Sequence, residues 1–122
     1  MAASTILICD DEASLRELMR VSLDGGYDFE EAADTAEAIE LVERVRPDLV
    51  LLDVMMPGGS GLTVLEQIRR DPQSRDVPVV VVSAFASDED QRAARDAGAS
   101  EFVKKPFDPD ELAALVERLL GR

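Results

Sequence analysis

The sequence has no tryptophan, one tyrosine (Tyr27) and four phenylalanines, so it offers no evident aromatic pair to sandwich a flavin ring. Cysteine is reduced to Cys9, inside the apolar run Ile6 to Cys9. With no second thiol to pair, Cys9 reads as a small core residue, not as half of a disulfide. No apolar run approaches the roughly 20 residues of a membrane-crossing helix. Met1 to Ser4 lack the positively charged start, longer apolar stretch and small-residue cleavage site of a secretory signal, and a cytoplasmic protein is expected. Positive charge is scarce: 13 Lys and Arg stand against 26 Asp and Glu, a formal net charge of −13. That balance repels nucleic acid and anionic membranes, so direct contact with either is not expected.

The 122 residues, 46% of them hydrophobic and 32% charged, suit one soluble globular domain spanning 1–122. Three apolar runs, Ile6 to Cys9, Leu49 to Leu52 and Val79 to Val82, lack the alternating polar residues of a half-exposed strand and read as buried parallel strands. Tyr27 to Ala32 and Glu101 to Lys104 are less apolar and suit the sheet's edges. Between these runs the period changes to that of helices. Leu15, Leu18, Met19 and Leu23 share one face, as do Ile39, Val42 and Val45, and then Leu62, Leu65 and Ile68. Capping boxes are expected at Asp34 with Glu37 and at Asp108 with Glu111, the latter opening a helix from Pro109 to Leu120. A fourth helix, near Asp88 to Ala97, offers mainly alanines and should be the most loosely held. Five strand–helix alternations with short connections imply an α/β fold with a doubly wound parallel sheet, whose sites form beyond the carboxyl ends of the strands.

Those ends carry the chemistry. The first strand runs into Asp10, Asp11 and Glu12, and the third into Asp53. If the two strands are neighbours at about 4.8 Å, their carboxylates converge and repel one another. A hard divalent cation such as magnesium resolves that conflict, because it takes oxygen ligands and commonly binds through one or two carboxylates plus a phosphate. The fourth strand ends in Ser83 and the small Ala84, the fifth in Lys104 and Lys105 ahead of Pro106. A hydroxyl and an ammonium on the same rim suit a transferred phosphoryl group. Alternation along the fifth strand sends Lys104 outward and Lys105 toward the rim. Such a set can let a carboxylate attack phosphorus to form an aspartyl phosphate.

The segments Cys9-Asp10-Asp11-Glu12, Leu51-Leu52-Asp53-Val54-Met55-Met56-Pro57, Val82-Ser83-Ala84 and Phe102-Val103-Lys104-Lys105-Pro106-Phe107 resemble the response-regulator receiver family of two-component signalling, including its single-domain chemotaxis-type members, along the whole chain. That resemblance implies a flavodoxin-like (βα)5 fold with strand order 2-1-3-4-5. It also implies Asp53 as phosphoacceptor and magnesium, or manganese in its place, held by Asp10, Asp11, Asp53 and the backbone carbonyl of Met55. Lys105 would contact the phosphoryl group beside Ser83 and Ala84, Ser83 and Phe102 would form a switch pair, and the Lys105–Pro106 bond would be cis. The implied partners are a sensor histidine kinase or histidine phosphotransfer protein and a downstream target or output domain. A homodimer through the fourth helix, fifth strand and fifth helix is a further option.

An aspartate-dependent phosphohydrolase also forms an aspartyl phosphate, but that class carries Asp-x-Asp after its first strand, where this chain has Glu12 at the second site. The run Gly58-Gly59-Ser60-Gly61 lacks the lysine and hydroxyl that follow the last glycine of a nucleotide-binding loop. It makes the segment after Pro57 unusually free of side chains. With only Gly121 and Arg122 after the last helix, the chain reads as a stand-alone regulator or a part of a larger protein.

Overall fold

The alternating pattern closes into one five-stranded parallel sheet between two layers of helices. The computed structural model describes residues 3–121; Met1, Ala2 and Arg122, the ends of the expected domain, lie outside the described residues. The elements run β1 (Thr5–Cys9), α1 (Ala13–Ser22), β2 (Asp28–Ala32), α2 (Thr35–Val45), β3 (Leu49–Leu52), α3 (Gly61–Arg70), β4 (Val79–Ser83), α4 (Asp88–Ala97), β5 (Glu101–Lys104) and α5 (Pro109–Leu120). The sheet order is β2-β1-β3-β4-β5, as expected, with all neighbours parallel. A two-residue antiparallel ladder, Met55–Met56 with Gly59–Ser60, folds the segment after β3 back on itself. Sequence periodicity did not anticipate this ladder, because two residues are too few to show a period.

Both sheet faces are covered, which is why the central strands are uninterrupted apolar runs. Leu7, Cys9, Val50, Leu52, Val79 and Val81 pack under Leu41, Val42, Val64, Leu65, Ile68 and Ala94. Ile6, Ile8, Leu49, Leu51, Val80 and Val82 pack under Met19, Leu23, Leu112 and Val116. Each Val, Leu, Ile or Met among them contributes about 1.5–3 kcal/mol on burial.

Three expectations need correction. Leu18, placed on the core stripe of α1, is 43% exposed; of that stripe Met19 and the C-cap residue Leu23 are buried, and Leu18 falls on its flank. Neither expected capping box closes. Asp34 accepts from the Glu37 N–H, but the Glu37 carboxylate reaches past the cap to the Ala33 N–H at 2.8 Å. Asp108 accepts from the N–H groups of Asp110 and Glu111, a one-sided cap. The reciprocal box belongs to α4: Ser87 accepts from the Asp90 N–H, and the Asp90 carboxylate accepts from the Ser87 N–H. A short Asp at that position does the work usually assigned to Glu or Gln. This local cap matters because α4 buries little else, Ala94 being its one fully buried residue, whereas α5 buries Leu112 and Val116.

Candidate phosphoryl and cation site

Parallel register brings the four site segments to one rim. Cys9 lies opposite Leu52, and the ladder continues one residue further, with the Asp53 N–H donating to the Cys9 carbonyl at 2.9 Å. On the other side, Ser83 pairs with Lys104 and the Lys105 N–H donates to the Ser83 carbonyl at 2.9 Å. Asp10 and Asp53 therefore leave the neighbouring strands β1 and β3 at the same level, and Lys105 leaves β5 at that level from the far side of β4. The Lys105–Pro106 peptide is cis.

The Lys105 ammonium bridges the two buried carboxylates, 2.6 Å from Asp10 Oδ2 and 3.0 Å from Asp53 Oδ2. Asp10 is wholly buried and Asp53 nearly so, at 6% exposed. Their remaining oxygens are held by the main chain: Glu12 N–H donates to Asp10 Oδ1 and Met55 N–H to Asp53 Oδ1, each at 2.9 Å. Burial raises the Asp53 carboxyl above its ordinary 3.8, and the Met55 N–H and Lys105 offset only part of that. Burial by itself would lower the Lys105 ammonium, but its bonds to Asp10 and Asp53 outweigh this and hold it above 10.5. The two shifts agree physically, since one ammonium shared between two carboxylates leaves Asp53 undercompensated. Cys9, directly beneath, is pushed far up by burial and then by Asp10, so it is an inert thiol.

Asp10, Asp11 and Glu12 have ligand oxygens within 4.8 Å of one another, Asp10 buried and the other two exposed. This group includes Glu12, not expected as a ligand, while Asp53 meets Asp10 across the Lys105 ammonium. The donor set fits a hard divalent cation: its side-chain donors are carboxylate oxygens, and two of the carboxylates, Asp10 and Asp53, are already arranged around a positive charge supplied by the chain itself. Ser83 is buried and its hydroxyl accepts from the Phe85 N–H at 3.0 Å. Ala84, the next residue, is exposed at the rim. Phe102 is half-buried below, packed on the face that α4 covers, and lines a groove of about 240 Å3 with Met55, Phe85 and Ala94. Lys104 points to solvent and Lys105 inward, as alternation requires.

Sequence reasoning missed Arg16, whose Nη1 donates to the Asp10 carbonyl at 2.6 Å. A basic residue on a predicted helix carries no signal of such a contact; its pairing partner Glu31 is 15 residues away.

The model of the response regulator receiver domain matches residues 6–117, and the chain belongs to that family, whose members are signalling switches controlled by phosphorylation. The chain is 44% identical over 118 residues to the response regulator MprA of Mycobacterium leprae, covering 96% of this chain and 51% of that protein. It is 37% identical over 123 residues to the phosphate regulon transcriptional regulatory protein PhoB of Pseudomonas aeruginosa, covering 100% of this chain and 54% of that protein. The chain thus spans about half the length of these curated relatives. Among solved structures, the chemotaxis response regulator CheY4 of Vibrio cholerae superposes with a TM-score of 0.90 at 29% identity, covering 97% of this chain and 99% of that one. No helix among the described residues is long and apolar enough to cross a membrane.

Proposed function

We propose that residues 1–122 act as one receiver domain in which Asp53 accepts a phosphoryl group from a histidine kinase or histidine phosphotransfer partner, with a divalent cation, magnesium foremost, held by Asp10, Asp11, Asp53 and the Met55 carbonyl. The observation that carries this reading is the Lys105 ammonium clasped between the buried carboxylates of Asp10 and Asp53. The chain has no histidine, so a phosphohistidine donor must come from another molecule or another part of a longer one.

An Asp53 carboxylate oxygen attacks phosphorus as the bond to the donor nitrogen breaks, and the imidazole leaves with the electron pair of that bond. Asp53 has one oxygen fixed by the Met55 N–H, which orients the other toward the rim. When bound, the cation neutralises charge on the phosphoryl oxygens and on the converging carboxylates. Lys105 then exchanges its Asp53 contact for a phosphoryl oxygen, and the Ser83 hydroxyl turns from the Phe85 N–H toward another. Because both contacts exist only with the phosphoryl group present, they bias the domain toward a second conformation. Phe102 turns into the space that Ser83 vacates, and the altered surface of α4, β5 and α5 meets a downstream target, an output domain or a second copy. A net charge of −13 argues against direct nucleic-acid or membrane contact by this domain.

The test is incubation with magnesium and a small acyl-phosphate donor, read by intact mass. One added phosphoryl group on the parent and none on Asp53→Asn is the expected result. Equal labelling of both would remove Asp53 from its role, and catalytic turnover of a generic phosphate ester would favour the phosphohydrolase reading instead.

A further inference from the structure

The cluster of Asp10, Asp11 and Glu12 needs a rigid main chain, because three carboxylates within 4.8 Å push one another apart unless something holds the turn that carries them. The start of α1 supplies little of that restraint. Its N-cap residue Glu12 makes no side-chain capping bond, and the Glu12 N–H is satisfied by Asp10 Oδ1, an oxygen of the cluster itself.

We propose that Arg16 is the positioning residue of the acidic site, fixing the Asp10 carbonyl and thereby the arrangement of the Asp10, Asp11 and Glu12 carboxylates that binds a divalent cation. This rests on the reading of Asp10 and Asp11 as cation ligands given above.

Arg16 lies on α1 with its side chain only 18% exposed. Its Nη1 donates to the Asp10 carbonyl at 2.6 Å and its Nε to Glu31 Oε1 at 2.8 Å. Glu31 stands on β2 opposite Ile8 of β1, and its other oxygen accepts from Arg20 Nη1 at 3.1 Å. One planar guanidinium therefore ties α1, the end of β1 and β2 together at the peptide that leads into Asp11. Lysine could supply the charge but not two bonds in a fixed fork. The contact to Asp10 goes to the main chain, so it survives when the Asp10 carboxylate trades its bonds to Lys105 and Glu12 for a cation.

Charge alone would make Arg16 oppose a cation, since it brings a positive group beside the site. Glu31 offsets this by pairing with both Arg16 and Arg20. The two effects differ in sign, which makes them separable. If position is what matters, removing the fork weakens cation binding; if charge is what matters, removing the charge strengthens it.

The experiment is a magnesium titration of the parent, Arg16→Ala and Arg16→Lys by calorimetry, with far-ultraviolet circular dichroism and melting recorded beside it. Both variants are expected to bind magnesium about tenfold more weakly, the lower range for loss of an outer partner of a metal ligand, with the helical spectrum retained. Tighter binding by Arg16→Ala with Arg16→Lys unchanged would overturn the proposal in favour of simple charge. Lower melting temperatures with unchanged magnesium affinity would overturn it in favour of a structural tie only. Should Arg16→Ala fail to fold, Arg16→Lys decides alone, because it keeps the charge and removes the fork; weaker magnesium binding by it supports the proposal, and unchanged binding overturns it. Absence of magnesium binding by the parent, by contrast, would overturn the cation reading of the acidic cluster itself.

Discussion

The two rims of the sheet solve the same problem in opposite ways. At the amino ends of the strands, Arg69 on α3 gathers main-chain carbonyls: its Nε donates to Gly98, and its Nη1 to Arg75 and Val77. Ser100 adds a hydroxyl to the Val79 N–H, and Asp48 accepts from the Thr5 N–H at 2.7 Å. Gly98, in the left-handed region at φ 113°, has no room for a Cβ because the Arg69 side chain would lie 2.7 Å from it. At the carboxyl ends, Asp10, Asp53 and Ser83 are buried, and a single ammonium serves both carboxylates. The first rim joins main-chain carbonyls and the single carboxylate of Asp48 to well-placed donors; the second concentrates like charge. Stability resides in the first and chemistry in the second, because a buried group that gains a better partner on ligand binding is what lets a ligand shift a conformation.

The largest way to break this contrast is Asp53→Asn. Phosphorylation should fall to nothing by intact mass, since an amide is a poor nucleophile, while the fold stays intact. Next, Lys105→Ala should permit some phosphorylation yet leave the surface of α4, β5 and α5 unswitched, because the lysine's contact with the phosphoryl group is lost. Nuclear magnetic resonance signals of Phe102 that still shift on phosphorylation in this variant would count against the coupling.

Arg69→Ala probes the other rim. Stranding carbonyls that accept from a charged donor should cost about 2 kcal/mol, seen as a lower denaturation midpoint with labelling of Asp53 preserved. If labelling were lost at temperatures where the variant is folded, the division between the rims would be wrong.

A smaller effect sharpens the account of the carboxyl rim. Met55 and Phe85, each 55% exposed, line one groove beside the site, and their N–H groups bond the Asp53 and Ser83 side chains. Neither side chain can hold a water in line with phosphorus, so the phosphorylated state should be long-lived. Replacing Met55 with Asn and Phe85 with Glu should speed loss of the phosphoryl group about tenfold, or about 1.4 kcal/mol of barrier. The check is decay after donor removal at constant magnesium; a double variant no faster than its parent would refute this control of water access.

The smallest effect is on stability. Burial raises the Asp53 carboxyl above its ordinary 3.8, so the folded protein favours the protonated form, and this group's contribution is fully present below that ordinary value and lost as pH rises through its folded value. Asp53→Asn should therefore raise the melting temperature at neutral pH, with the gain vanishing on acidification below the ordinary carboxyl value. A gain that grew on acidification would reverse the sign of the argument.

Much of this was legible along the chain because periodicity is a local property. The runs Leu49 to Leu52 and Glu101 to Lys104 are strands with those bounds, and Pro109 to Leu120 is the last helix. Local chemistry was less reliable at helix ends. Whether Glu37 reaches Asp34 or Ala33 depends on side-chain geometry that spacing does not fix, and Asp90 closes a box that the usual Glu or Gln pattern overlooks.

By itself the sequence determined which residues could stand at strand ends, and hence that Asp10, Asp53, Ser83 and Lys105 share a rim, because apolar runs set the strands and short connections set their direction. Tertiary structure alone decided how those groups pair. Lys105 meets Asp10 and Asp53 across separations of 95 and 52 residues, Arg16 was chosen over other arginines to hold the Asp10 carbonyl, and Arg69 to bind the opposite rim. Such contacts follow from register and from the reach of long side chains across a twisted sheet, quantities that only the packed chain fixes.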